Sequence, residues 1–134
     1  MKKMKIGIVV ADYRKEMTDK MLSVCLDELK DVDNDVLIVP GAYEIPLAVK
    51  KLVKKEEIDG VVCIGVVIQG DTDHDLVCAN NALRLMADLS VEFEKPVCSS
   101  IIGPRVSEEL AKKRVEIYPK HAANAVVRMV NVLR

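Results

Sequence analysis

Positions 69–75 hold Gln69, Gly70, Asp71, Thr72, Asp73, His74 and Asp75: an amide, a glycine, a hydroxyl, three carboxylates and one of the chain's two histidines. An imidazole titrates near neutral pH and can move a proton during a reaction. At the start of a helix, the backbone N–H groups of Gly70, Asp71 and Thr72 can hold an anion such as a phosphate. The plainer readings are a glycine that only turns the chain, Thr72 as a cap, and His74 as a loop residue on the surface. Neither G-x-x-x-x-G-K nor G-x-G-x-x-G occurs in the sequence, so nucleotide triphosphates and dinucleotides lose their usual support.

Four further residues could join this chemistry. Tyr13 and Tyr43 could each stack on a planar ring or simply pack. Glu44, just before Ile45-Pro46, suits hydroxyl binding and equally suits the positive end of a helix. Arg114, in Lys112-Lys113-Arg114, is expected near a helix C-terminus, but its guanidinium fork also matches phosphate oxygens.

The elements that must position these groups alternate along the chain. Residues 6–11 form a short apolar run that reads as a buried strand. Met17, Met21, Val24, Cys25 and Leu29 then recur at helical spacing up to a polar turn at 31–35. Residues 36–39 read as a second strand closed by Pro40-Gly41. Pro46 opens a helix whose apolar stripe is Ile45, Ala48, Val49, Leu52 and Val53. The apolar run at 60–68 reads as a strand buried on both faces. After the polar loop, Leu76, Ala79, Leu83, Met86, Ser90 and Phe93 mark a third helix, and residues 97–102 a fourth strand turned by Gly103-Pro104. A short helix over 107–115, capped by Ser107, precedes a last helix started by Pro119, with Ala122, Ala125, Val126, Met129, Val130 and Leu133 on its buried side.

This alternation predicts an α/β fold: a three-layer, flavodoxin-like doubly wound sheet of four parallel strands, order 2-1-3-4, with helices on both faces. The whole of 1–134 is expected to be one domain. In that order the loops after strands one, two and three converge on one crevice, bringing together Asp12-Tyr13-Arg14, residues 41–44 and residues 70–74.

Composition narrows the classes. Twenty basic residues against twenty-one acidic ones give a net charge of -1, which supplies no basic face for nucleic acid. Only four residues are aromatic, too few for a base-stacking surface. The start, Met1-Lys2-Lys3-Met4-Lys5, is basic, but the apolar run behind it is short for a secretory signal, and no run is long enough to span a membrane. Cys25, Cys63, Cys78 and Cys98 are irregularly spaced in apolar contexts, so buried free thiols in a reducing cytoplasm are expected instead of disulfides or a metal site.

Three segments resemble the lumazine synthases, the enzymes that make 6,7-dimethyl-8-ribityllumazine, the precursor of riboflavin. They are Val39-Pro40-Gly41-Ala42-Tyr43-Glu44-Ile45-Pro46, then Gly65 through His74-Asp75 with Ile68-Gln69-Gly70-Asp71-Thr72, and Lys95-Pro96-Val97 followed by a short helix ending at Arg114. Ile101-Ile102-Gly103-Pro104 looks closer to archaeal members than to bacterial ones. The resemblance implies a transferase that joins 5-amino-6-(ribitylamino)uracil to 3,4-dihydroxy-2-butanone 4-phosphate without metal, flavin or nucleotide. It implies His74 as the proton-transfer residue, with Arg114, Asp71 and Thr72 holding the phosphate. Tyr13 would stack on the pyrimidine, Val67 and Ile68 would meet its edge, and Ala42, Tyr43 and Glu44 would meet the ribityl chain.

The family builds this pocket between neighbouring subunits of a cytoplasmic homopentamer, and some members close twelve pentamers into a hollow shell. Ser99 and Ser100 depart from the family's bulky apolar or aromatic residue followed by glycine, in the lining that the adjacent subunit contributes. The basic residue expected near the start of the last helix is Lys120 or His121. Two rival functions share the fold: an archaeal-type riboflavin synthase, and a non-catalytic flavin-binding or shell-forming relative.

Overall fold

The computed structural model describes residues 3–134; Met1 and Lys2 of the basic start lie outside the described residues. Four parallel strands, β1 (Lys5–Ala11), β2 (Asp33–Val39), β3 (Gly60–Val66) and β4 (Val97–Ile102), form one sheet in the order β2-β1-β3-β4, as the alternation predicts. Helices α1 (Lys15–Glu28) and α5 (Ile117–Leu133) cover one face, and α2 (Ile45–Val53) and α3 (His74–Phe93) the other.

Alternate residues of the central strands feed these two layers. Ile6, Ile8 and Val10 pack with Met17, Met21 and Cys25 of α1 and Val126 of α5, while Val9 and Ala11 meet Ile45, Val49 and Leu52 of α2. Each such aliphatic side chain contributes about 1.5–3 kcal/mol by leaving water, so β3, buried throughout, and β1, buried from Ile6 onward, anchor the sheet. Among the described residues, no helix is long and apolar enough to cross a membrane.

Several boundaries differ from those read in the sequence, each for a physical reason. β2 starts at Asp33, inside the expected polar turn, because Asp33, Asn34 and Asp35 pair in register with Lys5, Ile6 and Gly7 along a solvent-facing edge. Lys3 and Lys5 offset the carboxylates there, at 3.1 Å from Asp33 and 3.3 Å from Asp35. β3 stops at Val66 instead of Ile68, where its partner β4 also ends at Ile102.

On α5, Ala123 is buried whereas Ala125, Met129 and Leu133 face outward, because the helix is apolar on more of its circumference than the sheet can cover. That helix starts at Ile117, two residues before Pro119. The short helix α4 covers only Glu108–Lys112, so Arg114 lies in the turn after it; Ser107 caps the helix as expected, its Oγ accepting from Leu110 N at 3.1 Å.

Gly103, which leaves β4, has φ +115°, and a Cβ there would collide with the Val67 carbonyl oxygen. Gly103→Ala is therefore expected to cost at least about 2 kcal/mol of stability, seen as a lower Tm. An unchanged Tm would show that this turn relaxes freely.

Candidate active site at the carboxyl ends of β1, β2 and β3

β1 is flanked by β2 on one side and β3 on the other, so the chain leaves the sheet in opposite directions at this point and opens a crevice beyond the strand ends. The crevice has a volume of 430 Å³, within the range of about 300–1,000 Å³ usual for small-molecule sites. Tyr13 reaches it from the β1–α1 loop. Ala42, Tyr43 and Glu44, one 3₁₀ turn, reach it from the end of β2, and Val67, Ile68 and His74 from the end of β3. Seven of the expected site residues thus meet in one protomer. Tyr13 and Tyr43 are 77% and 67% exposed; Arg14 lies over one face of the Tyr13 ring, so Tyr13 offers its other face for stacking.

His74 is the first residue of α3 and not part of the loop, a correction that fixes its surroundings. Its N–H donates to Thr72 Oγ1 at 3.3 Å, so Thr72 holds the helix start, while Asp73, at the cap position, makes no side-chain cap bond. Asp71 and Thr72 sit exposed outside the crevice lining. One turn along the helix, Cys78 Sγ lies 3.5 Å from His74 Nε2.

Asp75 is 3% exposed; its Oδ2 accepts from Arg105 N–H at 2.9 Å, and its Oδ1 is buried without a hydrogen-bond partner. The Arg105 side chain reaches Asp73 Oδ1 at 3.4 Å. Arg105 therefore grips α3 on both sides of His74 from a backbone at φ +64°, a conformation that costs a non-glycine residue roughly 1–3 kcal/mol.

Arg14, Asp75 and Cys78 all line the crevice, yet the sequence reading assigns no role to them. Once His74 is placed in a helix, the i, i+4 spacing brings Cys78 beside it. Arg14 follows Tyr13 directly; its Nε is buried and unpartnered, and its guanidinium carbon lies 5.8 Å from the Tyr13 ring centroid. Arg105 shows no comparable signal, because its contacts depend on the turn after β4.

The four thiols are unpaired. Cys25 and Cys63 are buried as expected, but Cys78 and Cys98 are only half-buried. Burial pushes the Cys25 thiol up to about 12, Cys98 to about 11, and Cys63 well above its usual range.

The family model for 6,7-dimethyl-8-ribityllumazine synthase matches residues 3–134. The chain belongs to the 6,7-dimethyl-8-ribityllumazine synthase family. Relatives bearing that name include one from Metallosphaera sedula, 44% identical over 97% of this chain and 88% of the relative. One from Methanobrevibacter smithii is 44% identical over 99% and 98%, and one from Methanopyrus kandleri 42% identical over 100% and 96%. The archaeal likeness seen in the segment at 101–104 extends over the whole chain.

In this member of the family, Ser99 and Arg114 do not line the protomer's own crevice. Ser99 is exposed on β4, its Oγ accepting from Ile101 N–H at 3.1 Å, and Ser100 is buried with its hydroxyl unpartnered. Arg114 is half-buried with its guanidinium carbon 5.9 Å from the Tyr118 ring centroid, and none of the ion pairs among the described residues involves it. Lys120 and His121 both border a shallow groove between α1 and α5, where Lys120 Nζ lies 3.9 Å from Glu28.

Proposed function

We propose that this chain condenses 5-amino-6-(ribitylamino)uracil with 3,4-dihydroxy-2-butanone 4-phosphate to give 6,7-dimethyl-8-ribityllumazine, acting as a transferase of riboflavin biosynthesis. The amine attacks the ketone, water leaves to form an imine, phosphate is eliminated, and the ring closes with loss of a second water. The observation that carries this reading is the crevice itself, where an imidazole at a helix start faces two open tyrosine rings at the convergence of three strand ends.

Tyr13 stacks on the pyrimidine, Val67 and Ile68 meet its edge, and Ala42, Tyr43 and Glu44 bind the ribityl chain. His74 moves the proton. Asp71 and Thr72 hold the phosphate by their backbone at the positive end of α3. Asp71, Asp73 and Asp75 repel an anion, and only Asp73 and Asp75 are engaged by Arg105, so a further cation is required. Arg114 supplies it from a neighbouring copy, together with Ser99, in a homopentamer.

Exposed apolar side chains on the outer faces support assembly: Leu47 of α2 is 77% exposed, Val77 and Val91 of α3 are 65% and 80%, and Ile38 of β2 is 63%. The unpaired cysteines fit a cytoplasmic enzyme. The site residues, from Tyr13 to Arg114, belong to a single domain.

The test is a two-substrate assay. Lumazine absorbance should appear only with both the pyrimidine and the butanone phosphate. Riboflavin formed from lumazine alone would assign the riboflavin synthase reaction instead, and tight lumazine binding without turnover would assign a non-catalytic binder.

A further inference from the structure

We propose that Cys78 is a positioning residue for His74: its thiol donates to Nε2, which holds the ring against the crevice and places the proton of the neutral imidazole on Nδ1. The inference rests on His74 being the proton-transfer group. Two observations lead to it. Cys78 Sγ is 3.5 Å from Nε2, one turn along the same helix, and both residues line the crevice. Cys25 and Cys63 are buried in the core, and Cys98 packs against the α1/α5 layer. Among the four cysteines, Cys78 combines access from the crevice with an imidazole neighbour.

A histidine at a helix start has no packing to fix its χ angles, and His74 is exposed. A partner one turn away restricts both ring rotation and tautomer, and the nitrogen left free then faces the reactants in one protonation state. Other charged or titratable groups bordering this space are Asp73 and Asp75 of the same helix start, Arg105 from the turn after β4, Arg14 and Tyr13 from the β1–α1 loop, and Tyr43 and Glu44 from the 3₁₀ turn. None of the hydrogen bonds among the described residues joins these groups to the imidazole ring, whereas Cys78 touches it.

A donor on Nε2 fixes the ring's orientation and tautomer, so its removal leaves the imidazole free to turn away from the reactants. In the intact enzyme with both substrates, Cys78→Ala should lower kcat by about 2- to 10-fold, the factor corresponding to one net hydrogen bond. KM for either substrate should stay the same. Cys78→Ser should recover part of the lost kcat, because a hydroxyl can donate to the same nitrogen. In a His74→Ala background, Cys78→Ala should have no further effect on kcat.

An unchanged kcat in Cys78→Ala, alongside a slow His74→Ala, would overturn the role of Cys78 and leave the proposed function standing. A His74→Ala variant as fast as the parent would overturn both roles.

Alkylation of the native enzyme gives a second measurement that needs no variant. The Cys78 thiolate displaces iodide from iodoacetamide, a C–S bond forms as the C–I bond breaks, and the proton passes to the buffer. Labelling should reach Cys78 before Cys25, Cys63 and Cys98, slow in the presence of the pyrimidine substrate, and remove activity in step with labelling. Full activity after complete labelling of Cys78 would contradict the proposal.

Discussion

Replacing His74 by alanine is expected to lower kcat by about 10²–10⁴-fold, the usual contribution of one positioned acid–base group, without abolishing turnover. The residual rate comes from holding the amine and the ketone together in one crevice, which lowers the barrier by orientation alone. The fold should be untouched. The bond that His74 makes to Thr72 uses its backbone N–H, and the side chain is exposed, so its loss should change stability by no more than about 0.5 kcal/mol. KM for the pyrimidine should also hold, since Tyr13, Val67 and Ile68 remain in place. Complete loss of product from a folded, assembled His74→Ala variant would mean that the imidazole does more than move a proton.

Arg114→Ala should act on the other substrate. A charge-assisted hydrogen bond between guanidinium and phosphate contributes about 1.5–3 kcal/mol, so KM for the butanone phosphate should rise roughly 10- to 150-fold while KM for the pyrimidine stays the same. No carboxylate competes for this guanidinium among the ion pairs of the described residues, and the Tyr118 ring beside it restrains its stem. Arg114→Lys should recover only part of the loss, because an ammonium cannot present two parallel donors to phosphate oxygens. Steady-state kinetics with each substrate varied in turn checks this. Equal losses for both substrates would indicate damage to the site as a whole instead of a lost phosphate contact.

The sheet was legible in the sequence because its strands contain short apolar runs, three of them ended abruptly by charge, glycine or proline. Ala11 before Asp12, Val39 before Pro40 and Ile102 before Gly103 all end strands in the structure. Edges and helix faces were harder to read. Asp33, Asn34 and Asp35 look like a turn because their composition is polar, and only the register with β1 makes them a strand. Ala125 and Met129 sit at helical spacing from the buried Ala122 and Val126, yet they face away from the sheet.

The crevice was readable because its walls are the residues just beyond three strand ends. The grip of Arg105 on Asp73 and Asp75 was not, since it joins residues 30 and 32 positions apart through a left-handed turn. Within one protomer, Arg114 stays away from the crevice. A role for it at the phosphate therefore depends on a second copy, which no pattern within the chain can display.

That dependence is open to a direct complementation measurement. His74→Ala and Arg114→Ala protomers would be dissociated, mixed in equal amounts and reassembled, then assayed at a butanone phosphate concentration where each parent is slow. If each site takes its imidazole from one copy and its guanidinium from the next, random mixing restores about a quarter of the sites to the native pairing, and activity should rise well above both parents. Activity equal to the mean of the two parents, in oligomers shown to contain both variants, would place both groups in the same copy's site or remove Arg114 from the chemistry, and would contradict the shared site.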